Sequence, residues 1–318
     1  MSGQYDAIII GTGIIGGAIG LDLAKRGFRT LNVDKLPAAG YGSTSNTCAI
    51  IRFHYSTAEG IAMARESYYY WLDWPKYIGT PDESGMAHYV NTGCLVIKNE
   101  ENDFLEHVLP HLDDLKVAYE ELGPKELKEL LPYVDTRQYG PPVLAGDARF
   151  GRPTGDAIAG AVYIPESGFI NDPQLACHNQ QRGCEAHGGQ FLFNADVVNI
   201  LTENGRAAGI KLADGTEFSA PVVVNAAGLW APQVARMVGL EIPSIPGEHT
   251  HILFEAIDVV ENRDSYLPLV RDPDRSIYIR QEMDSLILGL YESKVKQWNP
   301  KGVPWDYAQT ELQPDIDH

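Results

Sequence analysis

Three glycines and one acid carry the first legible chemistry of this chain. Gly11, Gly13 and Gly16 stand in the stretch GTGIIG (11–16), and Asp34 follows 18 residues after Gly16. That spacing suits a dinucleotide. Gly11 permits a tight turn, Gly13 lets the backbone approach a pyrophosphate with no Cβ in the way, and Gly16 lets a helix sit close against a strand. The helix opening at Ile14 and Ile15 offers free N–H groups and the positive end of its dipole to the phosphates. Asp34, with Lys35 beside it, stands where an acid accepts hydrogen bonds from a ribose diol. The competing reading is a glycine-rich strand–helix turn that binds nothing.

The elements that must position these residues read clearly on either side. Ala7–Ile10 is a continuous apolar run, as in a strand buried on both faces. Gly20 continues the small face of the following helix, Leu21, Leu23 and Ala24 supply packing, and Gly27 closes it after Lys25 and Arg26. A second strand ends at Asp34, and PAAGYGSTSNT (37–47) reads as a loop. Residues 59–74 have helical periodicity and carry Tyr68, Tyr69, Tyr70, Trp71 and Trp74. Those rings suit either a cage for a methylated ammonium or core and interface packing, which is the simpler reading. Residues 87–98 predict a strand pair around Asn91-Thr92-Gly93, and the acidic stretch 103–131 predicts helix broken at Gly123-Pro124. Asp172-Pro173 opens a helix that Gly188-Gly189 closes. Short strands follow at 190–193, 196–202, 207–212 and 217–219, with Asp214-Gly215 turning one hairpin. Residues 222–228 form a second buried strand running into a small-residue turn. Residues 245–255 and 276–291 suggest strands of another layer. No internal repeat or low-complexity tract is visible.

Composition sets the class. The 318 residues suffice for two domains or one large α/β unit, and the 44% hydrophobic content is ordinary for a globular protein. A net charge of −18 argues against nucleic acid or an anionic membrane as partner. No apolar run approaches the roughly 20 residues of a membrane span. The first strand begins within a few residues of Met1, which leaves no room for a signal or transit peptide. Cys48, Cys94, Cys177 and Cys184 form no CxxC pair and no zinc spacing. They read as buried, reduced thiols of a cytoplasmic protein, and no metal site is expected.

Six stretches together resemble one family. They are GTGIIG (11–16), GSTSNTCAIIRFHY (42–55), PESGFINDP (165–173), VVVNAAGLWA (222–231), RDPDRSIYIRQE (271–282) and GVPWDYAQTELQPDID (302–317). The chain resembles the FAD-dependent amine oxidoreductases of the D-amino-acid oxidase type. Within them it is most similar to dimethylglycine and sarcosine dehydrogenases and the β subunit of sarcosine oxidase. The resemblance implies an α/β chain, α+β overall. A Rossmann-like FAD-binding domain (1–84 and 146–240) would interleave with a mixed or antiparallel-sheet substrate domain (85–145 and 241–318).

It also implies roles. Gly42, Ser43, Thr44, Ser45 and Asn46 form a second pyrophosphate-contacting loop, Val197 reads the adenine edge, and Ala226, Ala227, Gly228 and Trp230 lie beneath the FAD. Arg52 matches an arginine that pairs with a substrate carboxylate, for which a guanidinium fork is suited; a structural ion pair is the alternative. His249 and Tyr278 match an active-site histidine and tyrosine. A neutral imidazole can take or orient the proton of the substrate amine. A hydrogen-bonded core histidine is the equal alternative at 249, His251 is its rival, and Arg280 is a lesser candidate for a second carboxylate anchor.

Three departures refine the expectation. Asn46 stands where relatives tether FAD through a histidine, so the FAD is expected to be non-covalent. Ile287 stands where an oxygen-activating lysine is found, which leans toward a dehydrogenase feeding an electron carrier rather than O2. GFINDPQL (168–175) has no histidine for a second flavin. Relatives also continue beyond the end of this tail with a segment that closes over the flavin, so the sequence reads as C-terminally truncated. The expected activity is oxidation of a small N-methyl amino acid such as dimethylglycine or sarcosine. A subunit of a multi-component oxidoreductase, completed by a partner subunit or a homo-oligomer, and a non-catalytic flavoprotein are the alternatives. A nicotinamide-linked function fits less well.

Overall fold

The computed structural model of the protein describes residues 4–98, 103–141, 143–155, 157–261, 263–291 and 294–307. The strand β1 (Ala7–Ile10) is buried at every position, as its unbroken apolar run demands. The helix α1 (Ile14–Lys25) and the strand β2 (Thr30–Val33) complete the expected unit. β1 pairs in parallel with β2 on one side and Val223–Asn225 on the other, and Gln190–Leu192 adds a fourth parallel strand beyond β2. The late motif thus returns to lie beside the first strand.

Glycine brings the layers together. A Cβ on Gly16 would lie 1.9 Å from the Gly11 carbonyl oxygen, so only glycine allows α1 to sit on its own turn. On the outer face, Gly17 abuts Gln180, and Gly183 abuts Leu21 and Ile78, which seats helix Pro173–Ala186 against α1. Asp172 caps that helix, its carboxylate accepting from the Leu175 N–H at 2.8 Å. A three-stranded antiparallel meander, Val197–Glu203, Arg206–Leu212 and Glu217–Ser219, shares a core with the parallel sheet through Ile8, Ile200, Ile210 and Phe218.

The second layer is a seven-stranded mixed sheet. Its spatial order is His251–Leu253, Ser285–Leu290, Ile277–Glu282, Leu269–Asp272, Cys94–Lys98, Gly160–Ile164 and Glu120–Leu122. Three features differ from the sequence expectation. Tyr89–Asn91 and Cys94–Lys98 do not pair with each other. The first joins Gly168–Ile170 and Ile50–Ile51 in a small sheet, and the second enters the large one. Gly93 (φ 69°) makes the switch, and the Tyr163 ring occupies the place its Cβ would take. Within the acidic helical stretch, Glu120–Leu122 is an edge strand, its local charge pattern overridden by pairing with Gly160–Ile164. Residues 245–255 divide into two short strands, Gly247–Glu248 and His251–Leu253, in separate sheets.

The aromatic helix is Ala58–Leu72, followed by Trp74–Ile78. Its rings pack rather than form a cage. Trp74 is buried and stacked on Trp71 at 4.2 Å. Asn179 binds the Trp74 indole and the Ala87 N–H through its oxygen, and Asp82 and Gly85 through its amide nitrogen. All four cysteines are free and buried. Among the described residues no helix is long and apolar enough to cross a membrane.

Gly16→Ala forces a methyl group against backbone that has no room to move. We expect a loss of about 1–3 kcal/mol, read as a lowered midpoint in thermal or urea unfolding. Gly146→Ala, where nothing lies within 4 Å, should stay within about 0.5 kcal/mol of the parent.

Candidate active site

A cleft of about 820 Å³ opens above the C-terminal ends of β1 and β2, where open parallel sheets bind their ligands. Its floor is the Gly11–Gly16 turn, its sides are Asp34–Leu36 and the 42–49 loop, and Ala226–Trp230 closes the far edge. The Ile14 N–H donates to Thr44 Oγ1 at 3.2 Å. The N–H groups of the rest of the first helical turn lack intrahelical acceptors. Asp34 Oδ2 accepts from the Thr12 N–H (2.8 Å) and hydroxyl (2.9 Å), and Oδ1 accepts from the Leu36 N–H (3.0 Å). The carboxylate is thereby fixed, with lone pairs left for a diol.

Nearly all the sequence-predicted cleft residues converge here: Gly11, Gly13, Ile14, Ile15, Gly16, Asp34, Lys35, Gly42, Ser43, Thr44, Val197, Ala226, Ala227, Gly228 and Trp230 all line the cleft. Ser45 and Asn46 do not line it. Both are exposed, and the Ser45 hydroxyl donates back to the Gly42 carbonyl. Trp305 and Asp306 also line the cleft, from a motif given no role above. They are held by Lys35, whose ammonium lies 3.5 Å from the Trp230 ring centre and donates to the Trp305 and Tyr307 carbonyls. The Trp230 indole donates to Pro304 at 3.1 Å. Burial lowers the Lys35 pKa, against the opposing pull of Asp196, Asp34 and Asp306. Residues 308–317 of that motif lie outside the described residues.

A second cavity of about 250 Å³ adjoins the cleft through a shared wall of Thr47, Ala49 and Ile50. Arg52 and Tyr278 both line it. The Arg52 guanidinium lies 4.5 Å from the Tyr55 ring centre and donates to the His54 carbonyl at 3.2 Å. The Tyr278 hydroxyl lies 3.2 Å from Cys48 Sγ. Burial, then this contact, raises the Tyr278 pKa, so the phenol stays protonated at neutral pH. His249 does not line the cavity. It is exposed, with its ring edge-on to Tyr291 at 5.1 Å, and Tyr291 in turn packs on Tyr278 at 5.6 Å. His251 is exposed on the outermost strand of the large sheet. Arg280 is absent from the lining as well. It pairs with Glu282 and lies over the Phe169 ring at 4.3 Å.

Arg271 and His54 line the cavity without having been foreseen. The register was the available signal for Arg271. It sits directly opposite Tyr278 across the 269–272/277–282 hairpin, so the two side chains share a face. Gly289 lies opposite Tyr278 on the other flank, and a Cβ there would meet the Tyr278 ring at 1.9 Å. Tyr278 is therefore laid flat by the glycine. His54 is 1% exposed, and neither ring nitrogen has a hydrogen-bond partner. Burial first, then Arg52 and Arg271, push its pKa well below 6.5. The same burial raises the Cys94 thiol to about 12.

A Rossmann-type cleft joined to a small basic cavity suits a flavin- or nicotinamide-dependent oxidoreductase, and comparison with known proteins decides between the two cofactors. The family model described as FAD dependent oxidoreductase (DAO) matches residues 6–315, and the chain belongs to that family. It is 26% identical to mitochondrial dimethylglycine dehydrogenase of Rattus norvegicus, covering 99% of this chain and 34% of that protein. It is 27% identical to mitochondrial sarcosine dehydrogenase of Mus musculus, covering 74% of this chain and 24% of that protein. The chain thus spans about a third or less of these relatives. L-proline dehydrogenase from P. horikoshii shares the fold, with a TM-score of 0.74 at 22% identity over 94% of this chain and 72% of that one. The family's cofactor is FAD, and the cleft fits it. A Cβ on Gly13 would crowd the Thr44 hydroxyl at 3.1 Å, so the turn and the 42–47 loop approach closely there.

His54 also predicts a pH effect. Its folded pKa is depressed below the unfolded value near 6.5, so the unfolded chain binds the proton first as pH falls. Its stabilising contribution is complete above pH 6.5 and declines below it, by up to about 1.4 kcal/mol per pH unit. The melting temperature of His54→Gln should therefore fall less than that of the parent between pH 7 and 5.5. Equal falls would show that His54 is not the group responsible.

Proposed function

We propose that the protein oxidises the C–N bond of a small N-methylated amino acid of the dimethylglycine or sarcosine type. The observation that carries this reading is the convergence of Arg52 and Tyr278 on a cavity that shares a wall with the FAD-type cleft. The named activities of the two dehydrogenase relatives support it.

FAD, when bound, supplies the acceptor for the hydride equivalent that leaves the substrate methyl group. The chain's own residues arrange the rest. The Gly11–Gly16 turn, Thr44 and the α1 N-terminus hold the pyrophosphate, and Asp34 takes the ribose diol. Because Asn46 stands where relatives tether FAD through a histidine, the FAD would be held non-covalently. Arg52 grips the substrate carboxylate with a two-pronged fork. Tyr278, its phenol protonated, donates a hydrogen bond to the same carboxylate.

The amine must be neutral for its neighbouring C–H bond to break, because its lone pair becomes the iminium π bond. The cationic cavity favours loss of the ammonium proton. Water then adds to the iminium carbon, releasing formaldehyde, the demethylated amine and a proton. His249, one ring behind the cavity wall, is proposed to orient Tyr291 rather than to touch substrate. Ile287 stands where relatives carry an oxygen-activating lysine, which favours transfer of electrons to a carrier over reaction with O2.

The test is the visible spectrum of the purified, FAD-loaded chain during anaerobic addition of dimethylglycine and then sarcosine. Bleaching of the flavin band supports an N-methyl amine oxidoreductase. A flavin band that no amine bleaches would favour an FAD-binding subunit awaiting its partner, or a non-catalytic flavoprotein. Arg52→Ala should retain FAD and lose about 100-fold or more in kcat/KM, as expected for about 3 kcal/mol of charge-assisted hydrogen bonding. Tyr278→Phe should lose about tenfold.

A further inference from the structure

The small cavity is more basic than a single carboxylate requires. Arg52 and Arg271 both line it, from the segment after Ile50–Ile51 and from the strand Leu269–Asp272. No aspartate or glutamate lines it, and among the described residues neither guanidinium forms an ion pair. Each lies near the face of a tyrosine, Arg52 near Tyr55 and Arg271 near Tyr291 at 5.4 Å. One nitrogen of Arg271 is spent on the Asp272 and Ile277 carbonyls, at 3.1 and 2.8 Å. The rest of the fork remains for a ligand. Burial first, and then the charge of Arg52, lower the Arg271 pKa. The same cavity is lined by the buried His54, whose two ring nitrogens have no partner among the described residues. Two like charges and an unsatisfied imidazole around one enclosed space are unfavourable until an anion enters.

We propose that this cavity is built for an amino dicarboxylate: an N-substituted amino acid bearing two carboxylates, one held by Arg52 and the other by Arg271. This rests on the reading of the cavity as the substrate site and narrows the substrate class within it. Charge balance supports the narrowing. An amino acid with one carboxylate and a neutral amine carries −1 and leaves one guanidinium uncompensated. An amino dicarboxylate with its amine neutral, the form from which the C–H bond breaks, carries −2 and matches both. Arg271 then sets specificity, while Arg52 serves every substrate.

The experiment is calorimetric titration of the purified chain, with FAD added, using succinate, glutarate and butyrate. None of the three carries an amine to be oxidised, so binding is read apart from turnover. The two dianions differ by one methylene in the spacing of their carboxylates. At least one dianion should bind tenfold or more tighter than butyrate. Arg271→Met should weaken that dianion at least tenfold and butyrate less than threefold. Arg271→Lys, which keeps the charge and guards against a folding defect, should retain most of the preference. Dianions that bind no more than threefold tighter than butyrate would overturn the proposal. So would an Arg271→Met variant that weakens both anion types equally, because both arginines would then grip one carboxylate. A dianion preference that depends on Arg271, in a chain whose flavin no amine reduces, would sustain this inference and sink the activity proposed above. Reduction by sarcosine without any dianion preference would do the reverse.

Discussion

The contact on which the nucleotide half depends is one between two backbones. The Cβ that Gly11 lacks would lie 2.3 Å from the Ala226 carbonyl oxygen, and Gly11 holds φ +102° to make the approach. It brings together the first turn of the chain and a turn more than 200 residues later. The Ala226 N–H donates to the Ile10 carbonyl at 2.8 Å beside it. Any side chain at 11 would push β1 away from Val223–Asn225 and open the cleft at its floor. Loop-closure cost grows only slowly with length, so the intervening segment can carry whole sheets without weakening this junction.

The half built on the seven-stranded sheet obeys a different constraint. Three strands in register set the cavity wall, with Arg271, Tyr278 and Gly289 in one row across the sheet. The glycine determines the posture of the tyrosine, and the tyrosine lies beside the arginine. A strand row is a rigid support, because backbone hydrogen bonds hold all three residues and no loop intervenes. Arg271 is held within the large sheet, whereas Arg52 lies just past the strand Ile50–Ile51 of the small one.

Much of this was legible in the residues. The β1–α1–β2 unit follows from glycine spacing and an apolar run, both of them local signals. The Asp172 cap and the Asp214-Gly215 hairpin are equally local. What escaped was non-local. Glu120–Leu122 joins a sheet because Gly160–Ile164 offers an edge, and nothing in an acidic tripeptide announces that partner. Tyr89–Asn91 and Cys94–Lys98 part company at Gly93 because Tyr163 fills the space there. Arg280 and Arg271 lie in one motif, and only the hairpin register distinguishes the one that faces the cavity from the one that pairs with Glu282. His54 stands in a quoted motif, yet its lack of partners is a property of the folded surroundings and not of the residue.

The two halves are coupled by a single stretch of backbone. Thr44 caps the first turn of α1, Thr47 and Ala49 form the wall common to cleft and cavity, Cys48 meets the Tyr278 hydroxyl, and Arg52 enters the cavity. Ala49 takes φ +50°, a left-handed conformation that costs a non-glycine residue about 1–2 kcal/mol. It is held there by the Thr47 hydroxyl accepting from its N–H at 3.1 Å, and by its carbonyl accepting from the Ile170 N–H at 3.0 Å. That turn sends Cys48 toward Tyr278 while Ile50 enters the small sheet. The strain lies where the chain crosses from the wall of the cleft to the wall of the small cavity, so one short stretch of backbone fixes both.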